Sequence, residues 1–261
     1  MTRRDVTIRH TQLTTLPESV WQESALEIFN VSNNRLTSIS DQIRNFKGVR
    51  LVDLAHNAIT ALPDAIGEID VSDYLYLSDN KLAEIPASIG KLTRLRYLNV
   101  SDNQLARLPQ SIGELAGLIE LRASGNRLLS LPDSIGRLSA LRELHVANND
   151  LVELPESIGS LSRLKKLNVE ANKLTRMPDS VGSLELLFEL NARGNRIARL
   201  PDSLANLRRL AYVDLRANGI RQVPEVLEGL PLEKLDLRWN PIASFPAWVD
   251  HLEARGCVVY R

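Results

Sequence analysis

Leu95-Arg96-Tyr97-Leu98-Asn99-Val100-Ser101-Asp102-Asn103-Gln104-Leu105 is a clean copy of a pattern, L-x-x-L-x-L-x-x-N-x-L, that runs through the chain. Its asparagine recurs at Asn34, Asn57, Asn80, Asn103, Asn126, Asn149, Asn172, Asn195, Asn218 and Asn240, in steps of 23 residues until a last step of 22. A second half follows, as in Leu131-Pro132-Asp133-Ser134-Ile135-Gly136-Arg137-Leu138. Its proline forms a matching ladder at Pro63, Pro86, Pro109, Pro132, Pro155, Pro178, Pro201, Pro224 and Pro246, with an outlying Pro17. Two ladders in constant phase mark a stacked array of one supersecondary unit.

The x-L-x-L-x segment alternates with period 2 and reads as a short strand with every second residue buried. Every unit advances in the same direction, so successive strands stack in parallel. A parallel pair needs a crossover of about a dozen or more residues, which the rest of the unit supplies. Proline fixes φ and removes a donor, so P-x-S-I-G is a bend or one helical turn, not a long helix. The glycine of that stretch suits the end of a turn. The asparagine carries a donor and an acceptor and can bond the buried loops above and below it, so it belongs to the scaffold. No single unit can bury its own apolar side, so the leucine ladders are core.

The full unit, L-x-x-L-x-L-x-x-N-x-L-x-x-L-P-x-S-I-G-x-L, resembles the 23-residue class of leucine-rich repeats, which includes Ras-pathway adaptors, plant intracellular Ras-group proteins and bacterial cytoplasmic or effector proteins. The resemblance covers roughly residues 3–261. It implies an α/β solenoid of horseshoe form, with a parallel concave β-sheet and short helical or irregular turns on the convex side. It implies no catalytic residue, because the fixed positions are all core. It leaves no room for an appended ubiquitin-ligase domain.

The expected organisation is a single domain over 1–261: a degenerate capping unit at 1–25, ten phased repeat cores at 26–242, and a cap at 243–261. Trp21 stands where later units carry glycine, and Trp248 stands near the far end, so both are expected to cover core edges. Val258 and Tyr260 are read as the buried strand positions of an incomplete last unit. Ser40 replaces the proline of one unit and Ser72 the first leucine of another, which predicts looser packing in the N-terminal third. The missing residue near Gly229-Leu230-Pro231-Leu232 is expected to disturb the repeat locally.

Lys+Arg and Asp+Glu both number 32, and this zero formal charge argues against a general nucleic-acid binder. The start of the chain is charged and no stretch reaches the roughly 18 apolar residues that span a bilayer. One cysteine, Cys257, excludes an intrachain disulfide. These features predict a monomeric cytoplasmic protein with no membrane and no cofactor, or one translocated without an apolar signal.

Counting the first leucine of each copy as position 1, positions 3, 5 and 7 line the free face of the sheet, where packing does not dictate the residue. Position 3 brings Ile28, Leu51, Tyr74 and Tyr97 into one column about 5 Å apart, with Tyr76 beside it at position 5. A contiguous exposed apolar patch marks an interaction surface, and Tyr is a favoured hot-spot residue. Position 7 carries small residues in the earlier units, then Glu170, Arg193, Arg216 and Arg238, with Trp239 and Tyr212 nearby. Arginine beside aromatics suits a carboxylate- or phosphate-bearing partner, nucleic acid included. Asp214 and Asp236 equally allow an internal ion-pair array. The expected function is a non-enzymatic scaffold that binds a partner protein on the concave face, in signalling or as an effector. The alternative is a small-ligand or carbohydrate sensor built on Glu120, Arg122, Glu143 and His145, but an open face lacks the enclosed pocket that catalysis by paired carboxylates needs. His10, His56, His145 and His251 show no metal-ligand spacing.

Overall fold

A computed structural model of the protein describes residues 4–23 and 26–261, so the part of the N-terminal cap at 1–3 and 24–25 lies outside the described residues. The chain forms two compact units, Met1–Leu128 and Leu129–Arg261. The first holds β1 (Arg4–Thr7), β2 (Leu26–Asn30), β3 (Val49–Asp53), β4 (Val71–Tyr76), β5 (Tyr97–Asn99) and β6 (Glu120–Arg122). The second holds β7 (Glu143–His145), β8 (Lys166–Asn168), β9 (Glu189–Asn191), β10 (Tyr212–Asp214), β11 (Lys234–Asp236), α1 (Trp248–Ala254) and β12 (Val258–Tyr260). Within each unit every strand pairs in parallel with the next. The fold is the expected parallel repeat solenoid. The P-x-S-I-G stretches are single 3-10 turns of five residues, such as Ala87–Lys91 and Glu156–Ser160. Among the described residues no helix is long and apolar enough to cross a membrane.

The asparagine ladder works as its chemistry predicts. Asn103 donates from Nδ2 to Leu77 O at 3.0 Å, Val100 O at 3.1 Å and Ser101 O at 3.0 Å, and its Oδ1 accepts Leu82 N–H at 3.0 Å. One side chain thus closes the loop leaving its own strand and ties it to the preceding unit. The residue before each asparagine, from Asn33 through Ala217 to Trp239, sits in the left-handed region, with φ between 51° and 67°. The loop must turn sharply there to bring the asparagine inward.

Three details differ from the sequence reading. The glycines Gly67, Gly90, Gly136, Gly159 and Gly182 do not have positive φ; they are needed for space. A Cβ on Gly136 or Gly159 would lie 2.4 Å from the carbonyl oxygen of the serine in the next turn, Ser157 or Ser180. Neither substitution in the N-terminal third leaves loose packing around it. Val71 is buried in place of the missing leucine at Ser72, through a register shift between β3 and β4. Ser40, in place of proline, accepts Gln42 N–H at 3.2 Å and caps its turn.

The third difference concerns the last strand. Val258, Val259 and Tyr260 pair with Lys234, Leu235 and Asp236. Val258 and Tyr260 are therefore on the free face, exposed, and the inward position belongs to Val259, with Cys257 buried just before it. The step from Lys234 to Val258 is one residue longer than the repeat, because α1 replaces the 3-10 turn. The missing residue near Pro231 is absorbed by shortening the preceding turn to Glu225–Leu227. At the other end Trp21 is 4% exposed and stacks on Phe46 at 5.7 Å and against Phe29 at 5.9 Å, as a cap residue should. Trp248 opens α1 and is only half-buried; Val249 and Leu252 of the same helix do the covering.

Candidate functional site

Position 4 and position 6 residues are core, as Leu98 and Val100 show at 0% exposure, so positions 3, 5 and 7 form the free face. Position 5 is less free than its exposure implies. Asn30, Asp53 and Asn99 in the first unit accept the N–H of the residue two further on, at 3.0 Å in each case. Asn168, Asn191, Asp214 and Asp236 do the same in the second unit. These are local Asx turns that close the end of the strand. Tyr76, Arg122 and His145 occupy the same position and offer no such acceptor. They depart from a structural rule and so carry the stronger functional signal.

In the first unit Ile28, Leu51, Tyr74, Tyr76 and Tyr97 share the free face, with Tyr74 exposed and the other four half-buried. The three tyrosines touch: ring centroids are 6.0 Å apart for Tyr74–Tyr76, 5.7 Å for Tyr74–Tyr97 and 5.1 Å for Tyr76–Tyr97. Burial raises the pKa of Tyr76 and Tyr97 above the ordinary phenol value. Tyr74, Asp53 and Glu120 add to the rise at Tyr76, so the phenols stay neutral donors. Glu120 bonds Arg122 at 2.5 Å across the edge of the patch.

In the second unit the arginine column forms the internal ion-pair array. Arg216 bonds Asp214 and lies 3.4 Å from Asp236; Arg238 bonds Asp236 at 2.6 Å; Arg193 lies 3.6 Å from Glu170. Burial alone would raise the Asp236 pKa, but its bonds to Arg238 and the two guanidinium charges outweigh burial and hold it below the usual carboxylate value. The arginines are thereby compensated, which removes the motive for a polyanion site. Their guanidinium carbons lie 5.6–5.9 Å from the Trp239 ring. Trp239 is itself 65% exposed and held at φ 62°. A bulky residue in that region costs about 1–2 kcal/mol, and the equivalent positions use Asn33 and Asn148 without that cost. Trp239→Asn is therefore expected to leave stability unchanged or raise it by ~1 kcal/mol. A fall of that size in a urea titration would show that the indole serves the fold.

Two residues of this face escape the sequence reading. Phe188 is exposed and packs edge-on against Tyr212 at 5.1 Å, while Tyr212 donates from its hydroxyl to Glu233 at 2.6 Å. Phe188, Glu189, Asn191, Tyr212, Asp214 and Lys234 line an open cleft of about 270 Å³. Its signal is an aromatic at position 2, where Lys165 and Ala211 stand in the neighbouring units. Tyr260, brought out by the shifted last strand, lies 4.6 Å from the Arg238 guanidinium and 5.4 Å from Lys234 Nζ. Glu143 is bonded by His145 at 3.1 Å and paired with Lys166 at 3.2 Å. Burial works to raise its pKa, but these partners prevail and keep it below the usual value, the reverse of what a general acid requires.

Models of two related families match the chain: leucine-rich repeat region over residues 73–150, and leucine rich repeat over 24–82 and 139–197. No curated protein matches it. Among solved structures, the plant peptide hormone receptor RGFR1 in complex with RGF2 is similar, at 29% identity and a TM-score of 0.79 over 90% of this chain and 40% of the receptor. The Arabidopsis receptor kinase HAESA, in complex with the peptide hormone IDA and the co-receptor SERK1, is similar at 28% identity and a TM-score of 0.74, over 87% of this chain and 40% of that one. An internalin from Listeria monocytogenes shares the fold at 17% identity, a TM-score of 0.72, and coverage of 99% and 86%. The chain spans about 40% of the length of each of these two receptors.

Proposed function

The chain belongs to the leucine-rich-repeat family, and from that premise we propose that it is a non-enzymatic interaction module, a single repeat domain that binds a partner protein on the open face of its sheet. The observation that carries this reading is the triad Tyr74, Tyr76 and Tyr97. Its rings touch one another on a face where the core makes no demand for aromatics, and Tyr76 stands where seven other repeats place a capping Asn or Asp. Two similar structures are receptors in complex, one with RGF2 and one with the peptide hormone IDA and a co-receptor, which favours a binding role. Cys257 permits no intrachain disulfide, and we read the protein as resident in a reducing, cytoplasmic compartment.

Capture of partners on the immobilised chain, followed by affinity measurement with the Tyr74→Ala, Tyr76→Ala, Tyr97→Ala triple variant, tests this. Binding is expected to weaken by roughly a hundredfold or more: one hot-spot ring is worth ~2 kcal/mol, about thirtyfold, and the three do not add in full. The rings sit outside the core, so the variant should melt cooperatively. Undiminished binding by the folded variant would overturn the assignment.

A further inference from the structure

We propose that the open face of the N-terminal unit recognises an extended basic segment of its partner, a lysine or arginine head seated between Tyr76 and Asp53 with its aliphatic stem on the tyrosines. This rests on the interaction reading above and adds the chemistry of the partner. Asp53 and Tyr76 are direct register partners on β3 and β4, so a carboxylate and an aromatic ring stand side by side, about 5 Å apart along the sheet. A ring and a carboxylate together attract a cation more strongly than either alone. The floor beside them is low: Ala55, Ser78 and Ser101 occupy position 7 of these units, and Ala55 and Ser101 are buried. A long side chain can therefore reach Asp53 without meeting another one.

The charge of this edge is one-sided. Positions 5, 7 and 8 of the units built on β3, β4 and β5 hold Asp53, Asp79 and Asp102 and neither lysine nor arginine. Among the described residues no lysine or arginine ion-pairs with these three carboxylates. The His56 imidazole lies 2.8 Å from Asp79. Three other carboxylates around the patch are satisfied internally: Glu27 and Asp73 by Arg50, and Glu120 by Arg122. The arginine-rich face of the C-terminal unit is compensated by its own acids. The acidic edge thus lies beside the aromatic patch, and the complement of an acidic edge and an apolar patch is a cation on an apolar stem.

The repeat itself supplies a variant that removes the charge and keeps the fold. Position 5 carries asparagine at Asn30 and Asn99 with the same Asx turn, and Asn33 holds the left-handed conformation that Asp79 and Asp102 adopt. Asp53→Asn, Asp79→Asn, Asp102→Asn is therefore expected to fold as the parent does. A display library of random peptides is selected on the whole chain, and the recovered peptides are synthesised and titrated against parent, triple asparagine variant and triple tyrosine variant. The expected result is peptides rich in lysine or arginine next to apolar residues, bound roughly tenfold or more weakly by the asparagine variant at low salt, with a smaller difference at high salt. Recovery of acidic or neutral peptides, no recovery at all, or equal binding by the asparagine variant would overturn the basic-segment proposal. If such peptides still lose affinity for the tyrosine variant, the interaction reading survives without it. If peptides bind the tyrosine variant undiminished, that reading fails as well. Self-association of the chain through this face, seen by sedimentation and abolished by the tyrosine variant, would also count against a basic partner.

Discussion

Replacement of Asn172 by alanine is expected to cost about 3–4 kcal/mol of stability, read from urea unfolding followed by circular dichroism. Asn172 is 7% exposed; its Nδ2 donates to Val146 O at 3.0 Å, Val169 O at 3.0 Å and Glu170 O at 3.2 Å, and its Oδ1 accepts Leu151 N–H at 3.0 Å. Alanine removes the partner of buried backbone groups on both sides of the loop, each worth ~1–3 kcal/mol when left unsatisfied. The cavity adds to the loss. Asn34→Ala is expected to cost less, because Asn34 is only half-buried and its Oδ1 accepts from Thr11, an exposed residue that water reaches. Equal costs at the two positions would refute a burial-dependent role for the ladder.

Gly159→Ala is expected to destabilise the protein by roughly 2–3 kcal/mol. Conformation alone predicts the opposite sign: the glycine does not need positive φ, and alanine narrows the unfolded ensemble, worth ~0.4–1 kcal/mol in its favour. Packing decides the matter. The added Cβ would meet Ser180 O at 2.4 Å and Ser180 Cβ at 2.7 Å, and a backbone carbonyl cannot retreat without shifting the next turn. Ser180 makes a useful contrast. Its hydroxyl is buried and has no hydrogen-bond partner, so its value lies in being small, and Ser180→Ala is expected to be neutral or slightly stabilising. Melting curves of the two variants, run side by side, check the pair; a stabilised Gly159→Ala protein would sink the close-packing account.

The aromatic column illustrates how far the sequence reached toward the candidate site. Alternation about Leu98 and Val100 placed Tyr74, Tyr76 and Tyr97 on one face, because a period of two is a property of any strand. It did not reveal that Asn99 and Asp53, on the same face, are engaged in closing their own turns. That distinction set Tyr76 apart and left Asp53 both a cap and a charge. The arginine column was legible as a column, but its charge state was not. Asp236 is 1% exposed and bonded by Arg238, a geometry that turns a nominal cationic stripe into a compensated array. Phe188 and Tyr260 were missed for opposite reasons. Phe188 was visible but assigned no face, and Tyr260 was assigned the wrong one, since counting a period cannot foresee that α1 lengthens the last step by a residue.

The sequence by itself determined the repeat, the strands and their parallel order, the inward leucines and the role of the asparagine, because each follows from periodicity and from the need to satisfy buried backbone groups. Tertiary structure alone decided what depends on contact between neighbouring units: the glycines chosen for the space beside the next serine, Val71 taking the place of the leucine missing at Ser72, the pairing of Arg216 and Arg238 with Asp236, and the acidic edge at Asp53 beside Tyr76. The physical reason is that a repeat specifies one unit and its period. Charge compensation and close approach arise between units, where residues 21 to 26 apart in the chain meet.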